Sequence, residues 1–316
     1  MQQNRRTGFG ALLTRGWRLW SGSLGTSFPA VLLCGVLPAL VIAVAGYYCL
    51  LVAFRPAFQL LQTILQSLLT YGFDEWAIGD AVSRVLQDFG LMDHEQMLRQ
   101  LLGSMGTLVG VALISVPLQL ASSYVLMPMA QGAVAEAQSR LWHGVRVPFG
   151  AAFAAIRRRA GKLMVLNLAL LLAELGLSMV LSVVSALVAL LPVMGPVAVT
   201  ALELVAVLLV MGVQSLVYLV AINEDQWHFN AIGLAVKRFF TDWAYAAAMA
   251  VYGAVLVGSL LLTVLADLLL MTLALFPPVL TVLAMAFLMP LAMSFVTAVY
   301  YDQRTREGYA PACGIE

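Results

Sequence analysis

Glu174, Glu203 and Asp267 each lie inside a run of apolar residues long enough to cross a hydrocarbon core. A carboxylate in that position must face a neighbouring helix or a watered cavity, because charge in lipid is costly and no Lys or Arg shares these runs. Two chemistries suit such acids. Protonated, they bond helices together through Asn167, Gln119, Gln214 or backbone carbonyls; ionised, they hold a cation or proton and line a substrate pathway. Residue types alone leave both open. At about 1.5 Å per residue, Glu174 sits ~18 Å from the inner end of its run, and Glu203 and Asp267 roughly 10–12 Å from the outer ends of theirs.

No other grouping suggests chemistry. His94, His143 and His228 are scattered over three loops. Cys34 and Cys49 share an apolar run with no CxxC spacing, and Cys313 is in the tail. Neither HExxH nor a P-loop occurs, and no nucleophile, base and orienting acid converge. The expectation is therefore no catalytic residue, no metal and no cofactor.

The elements that carry the three acids follow from composition. A chain of 316 residues that is 62% hydrophobic and 10% charged is an integral membrane protein. Its apolar runs fall at approximately 28–53, 101–128, 163–190, 197–222, 244–270 and 279–300. Each reaches the ~20 residues a spanning helix needs. The stretches 190–196 and 275–278 break two otherwise continuous apolar regions, and their prolines mark tight turns. The first run exceeds the roughly 7–15 residues of a signal-peptide core, so it reads as an uncleaved span.

Orientation comes from Lys and Arg. With the N-terminus inside, fourteen of the 17 basic residues fall on the cytoplasmic side, and only Arg55, Arg84 and Arg99 fall outside. Both termini are thus expected in the cytoplasm. The outer loop at 54–100 carries six acids and helical apolar spacing, with "DHEQ" at 93–96 as a capping box, and is expected to hold helices.

A short pattern recurs before each pair of spans. "FGALLTRGWR" (9–18), "FGAAFAAIRR" (149–158) and "FNAIGLAVKR" (229–238) align Phe9, Phe149 and Phe229, then Ala11, Ala151 and Ala231, then Arg18, Arg158 and Arg238. Helical projection sets each of these arginines opposite its phenylalanine, the pattern of a helix lying in the membrane interface. Aromatics and bases on opposite faces do not suit nucleic acid, which wants them interleaved. The expected fold is all-α: one membrane domain over 1–316, with six transmembrane helices in three hairpins, each preceded by a cytoplasmic amphipathic interfacial helix. Repeat units would span about 9–128, 149–222 and 229–300, followed by a cytoplasmic tail at 301–316. "GTLVG" (106–110) and Ser178, Ser182 and Ser185 read as helix-packing faces.

The last run ends "VYYDQRTREGY" (299–309). Tyr300, Tyr301, Asp302, Arg304, Arg306, Glu307, Gly308 and Tyr309 resemble the C-terminal signature of a bacterial multi-pass family, the membrane domain associated with glycerophosphoryl diester phosphodiesterases and its stand-alone relatives. The family usually has one more residue before the Glu-Gly pair and often an acid where Ala310 stands. The resemblance implies a bacterial inner-membrane protein. It carries no activity across, because the chain has no room for a phosphodiesterase barrel of about 250 residues. Physically the motif reads as an anchor, tyrosines at the interface and arginines at headgroups, or as a source of ion pairs to the interfacial helices.

Two functions follow. One is a non-enzymatic module that engages anionic headgroups or a protein partner through Arg18, Arg158 and Arg238. The other is a small proton- or ion-coupled transporter that uses Glu174, Glu203 and Asp267. Oligomeric state is not written in the sequence.

Overall fold

The computed structural model describes residues 7–53, 79, 80, 83, 106, 109, 110, 112–189, 195–274 and 279–308. Among them there is helix and no strand. In lipid this is forced, since a spanning segment must satisfy its own backbone groups. In chain order the helices are α1 (Phe9–Val31), α2 (Leu37–Ala53), α3 (Met127–Trp142), α4 (Phe149–Arg157), α5 (Ala160–Ala189), α6 (Gly195–Asn223), α7 (His228–Thr241), α8 (Trp243–Ala274) and α9 (Leu280–Arg306). Residues 112–121 are also helical and lead into α3.

Among the described residues six helical stretches are long and apolar enough to cross a membrane: Phe9–Tyr48, Ala112–Trp142, Ala160–Ala189, Val197–Asn223, Trp243–Met271 and Leu280–Arg306. Several outrun the expected spans. The sharpest difference is at the N-terminus, where the expected interfacial helix at 9–18 is not a separate element. It is the beginning of α1, which runs unbroken to Val31. Nothing between Arg18 and Phe28 terminates a helix strongly. Pro29 lies inside α1 and removes one donor, and a π-helical turn at Leu32–Val36 follows, so the hydrogen-bond ladder is disturbed without the helix ending. A second π-turn, Ser122–Leu126, precedes α3, which opens with Pro128 in its first turn. The expected helical loop at 54–100 lies almost wholly outside the described residues.

The chain forms two compact units. The first comprises Met1–Gly35, Ser123–Ser259 and Ala286–Glu316. Within it α3 packs against α1, α4, α5 and α6, and α7 packs against α5 and α6. Its core is built from Leu12, Leu19, Ile156, Leu163, Tyr218, Phe239, Phe295 and Tyr300, all fully buried. Small residues permit close approach: a Cβ on Gly16 would meet the Phe295 backbone at 3.1 Å. The second unit comprises Val36–Ser122 and Leu260–Met285.

The long helices leave much apolar surface uncovered. On α5 alone Leu168, Leu172, Leu175, Met179, Val183 and Leu187 are exposed. In water such a stripe would be a liability; acyl chains are as apolar as leucine and cover it at no cost. The expected GxxxG contact is not seen: no described atom lies within 4 Å of a Cβ built on Gly106 or Gly110.

Candidate functional site

The three intramembrane acids divide between two places. α5 and α6 enclose a groove of about 430 Å³ lined by Glu174, Glu203, Ser178, Ser182, Ser185 and apolar side chains. Glu174 lies mid-helix and accepts a hydrogen bond from the Gln214 side-chain amide of α6. Glu203 is exposed to the groove and makes no hydrogen bond or ion pair with any described residue. The serines expected to be a packing face instead line this groove. Ser182 donates to the Ser178 carbonyl at 2.8 Å, while the buried Ser185 Oγ has no partner.

Asp267 is not part of that groove. It is 3% exposed, and its two oxygens accept from the Leu280 N–H at 3.0 Å and the Thr281 N–H at 2.6 Å. The first turn of a helix has unsatisfied N–H groups and a positive dipole end, so a carboxylate supplied from α8 caps α9 and needs no other role. Asn167 is likewise occupied: it donates to the Ser123 carbonyl and accepts from the Tyr218 hydroxyl, both at 3.3 Å. The candidate polar residues Glu174, Glu203, Asp267 and Asn167 thus divide into a two-carboxyl groove, a helix cap and a helix-to-helix bond.

The three aligned arginines are not equivalent either. Arg18 and Arg158 are exposed, whereas Arg238 is 8% exposed and among the most buried charges of the first unit. Buried positions give the structural register. Leu12, Gly16 and Leu19 face the core in α1, Ala152 and Ile156 in α4, and Ala231, Ala235 and Arg238 in α7. Matching these faces pairs Arg18 and Arg158 with Lys237, which is exposed. The sequence alignment on Phe229 is one residue out, and one residue turns a helical face by about 100°.

Arg238 instead centres an ionic cluster with the end of α9. Its guanidinium donates to Glu307 at 2.9 Å and to Glu224 at 3.2 Å. Burial alone would lower its pKa, but the charge of Glu224 and then the bonds to Glu307 outweigh that and hold it above the usual arginine value. Glu224 also accepts from the Tyr300 hydroxyl at 2.9 Å and lies 3.9 Å from Arg304. Gln303 donates to the Arg238 carbonyl, and Tyr301 donates to Asn223 while its ring stacks on Trp142 at 4.9 Å.

Alongside, Asp302 accepts from Thr7, Arg15 and Tyr245, and Arg306 pairs with Asp242 at 2.8 Å. Asp242 joins α7 to α8 and caps the latter through the Ala244 N–H at 3.1 Å. Of the tail motif, Tyr300, Tyr301 and Asp302 are buried, Arg304 and Arg306 half-buried and Glu307 exposed, and their bonds run to protein side chains, the ion-pair alternative to a plain headgroup anchor. Gly308 takes a positive φ of 91°, where glycine alone is unstrained, and ends the helix. Tyr309 lies outside the described residues. Sequence reasoning missed the partners Glu224, Asp242 and Tyr245, and the only signal available was their position at the ends of predicted spans beside basic segments.

Six long apolar helices make this a multi-pass membrane protein. Set against known proteins, the chain matches no family model, no curated protein and no solved structure.

Proposed function

We propose that this protein is a non-enzymatic module of the bacterial cytoplasmic membrane, a stand-alone relative of the phosphodiesterase-associated membrane family, whose inner face engages anionic headgroups. The observation that carries the reading is the exposed register shared by Arg18, Arg158 and Lys237 on α1, α4 and α7. Exposed aromatics accompany them: Phe9 and Trp17 on α1, Phe229 and Phe240 on α7, and Trp243 at the start of α8. Bases beside exposed aromatic rings on helices flanked by apolar spans suit the headgroup layer, where a ring sits at the boundary and a cation meets phosphate. Orientation with both termini in the cytoplasm rests on the distribution of basic residues and belongs to the same proposal.

Arg238 is excluded from the lipid-facing set by its burial, and the motif at the end of α9 serves to fasten α7, α8 and α9 together. Each helix presents its bases at a fixed position because one face is locked into the first unit. The test is native mass spectrometry of protein purified with mixed phosphatidylglycerol and phosphatidylcholine. Wild type should retain phosphatidylglycerol selectively, and Arg18→Glu/Arg158→Glu/Lys237→Glu should not. Equal retention by both would remove the basis of the reading.

A further inference from the structure

We infer that the groove between α5 and α6 is a binding site for an ammonium group carried on an apolar body. Among the described residues two carboxyl groups, Glu174 and Glu203, line it, and no Lys, Arg or His does. Glu174 gives one oxygen to Gln214 and Glu203 has no bond to any described residue, so among the described residues no cation answers the two carboxyls. A carboxyl group inside an apolar span is costly without a complement, and a bound cation supplies one.

Size decides which cation. A single water occupies about 30 Å³, whereas the groove measures about 430 Å³ and falls within the roughly 300–1,000 Å³ of small-molecule sites. A bare metal ion or a proton leaves most of that space unfilled. Leu181, Val207 and Met211 supply apolar walls for the rest of the ligand. The Ser185 Oγ, with no partner among the described residues, is a ready acceptor for an ammonium N–H. The described lining contains no aromatic ring of the kind that cages quaternary ammonium, so recognition falls to N–H bonds from a primary amine. Such an amine arrives as the headgroup of an aminophospholipid or as a free lipophilic amine.

The experiment uses the full chain in nanodiscs, with tritiated 1-aminoadamantane as probe and scintillation proximity as readout. In phosphatidylcholine discs we expect saturable binding that the trimethylammonium analogue and adamantane carboxylate displace poorly. Glu203→Gln should weaken it about tenfold or more, the loss expected for a charge-assisted hydrogen bond. Glu203 is exposed, so its substitution leaves packing intact; Glu174→Gln and Ser185→Ala serve as further variants, with unfolding in the same discs as the check. Asp267→Asn, outside the groove, should leave affinity unchanged. Discs containing phosphatidylethanolamine separate the two sources, since competition by the lipid identifies the headgroup and undiminished probe binding identifies a free amine. Purely non-saturable partitioning, or equal affinity in wild type and Glu203→Gln, would overturn the inference.

Discussion

Arg238→Ala and Arg158→Ala remove residues that share an aligned place in the sequence but not in the fold. Arg238 has a side chain 9% exposed and pairs with Glu224, itself 13% exposed, at 3.0 Å and with Glu307 at 2.9 Å. Truncation leaves Glu224 half-buried, with the Tyr300 hydroxyl at 2.9 Å and Arg304 at 3.9 Å as its compensating partners among the described residues. Breaking a buried pair by removing one partner costs about 3–5 kcal/mol, because the orphaned charge keeps its desolvation penalty. Arg304 moderates this, so the lower end, about 3 kcal/mol, is expected. Arg158 is exposed at the end of α4 and pairs with no described residue, so Arg158→Ala should change stability by less than about 0.5 kcal/mol. Replacing Arg238 and Glu224 together by Met and Leu should recover most of the loss, since no lone charge remains. The assay is equilibrium unfolding in mixed micelles of dodecyl maltoside and sodium dodecyl sulfate, followed by tryptophan fluorescence. Equal destabilisation by the two alanine variants, or a double variant worse than Arg238→Ala alone, would refute the reasoning.

Three further outcomes follow from named contacts. Asp267→Ala removes both acceptors from the first turn of α9 and should cost about 1–2 kcal/mol in the same unfolding assay, within the range for lost N-caps. Gly16→Leu forces a side chain against the Phe295 backbone, 3.1 Å from the Cβ position, and should destabilise by roughly 1–3 kcal/mol as overpacking does; no effect would mean that α1 and α9 are not in contact there. The Trp227 indole N–H, 2.7 Å away, and then Lys162 hold the Asp225 carboxyl below the usual carboxylate range. The sign follows: the turn between α6 and α7 is held at neutral pH and is released as pH falls through that lowered value, under the usual carboxylate range. Trp227 fluorescence in a variant with the other tryptophans replaced by Phe should report the transition, and Asp225→Asn should abolish it.

Hydropathy alone revealed six spans and an all-helical fold, because only an unbroken apolar helix of sufficient length satisfies the bilayer. Element ends were less legible. Residues 9–18 look like a separate interfacial helix because polar Ser21, Ser23, Thr26 and Ser27 lower the local hydropathy, yet none of them stops a helix and Ser23, Thr26 and Ser27 are buried in protein. Register between the three aligned segments was beyond a three-position match, for Phe229 is equally a helical neighbour of the position that burial selects. Only burial of Ala231, Ala235 and Arg238 fixes the phase. The acids show the same limit from another side. Glu174, Glu203 and Asp267 are alike in sequence, and what separates them is which helix end or side chain lies opposite: Gln214, open groove, or the Leu280 and Thr281 amides. The tail motif was visible as a string, but its partners are 57 residues away for Tyr245, 69 for Arg238 and 287 for Arg15.

The proposed headgroup role makes Arg18, Arg158 and Lys237 one lipid-facing set and leaves Arg238 outside it. Electron spin resonance of spin-labelled phosphatidylglycerol and phosphatidylcholine around the reconstituted protein measures it most directly, as the relative association of the anionic lipid. A basic residue near the surface contributes about 1 kcal/mol to anionic-lipid attraction. Selectivity for phosphatidylglycerol should fall stepwise with each of Arg18→Glu, Arg158→Glu and Lys237→Glu and vanish in the triple variant, while Arg238→Met/Glu224→Leu retains it. Selectivity that survives the triple reversal, or disappears with the buried pair, would contradict the account.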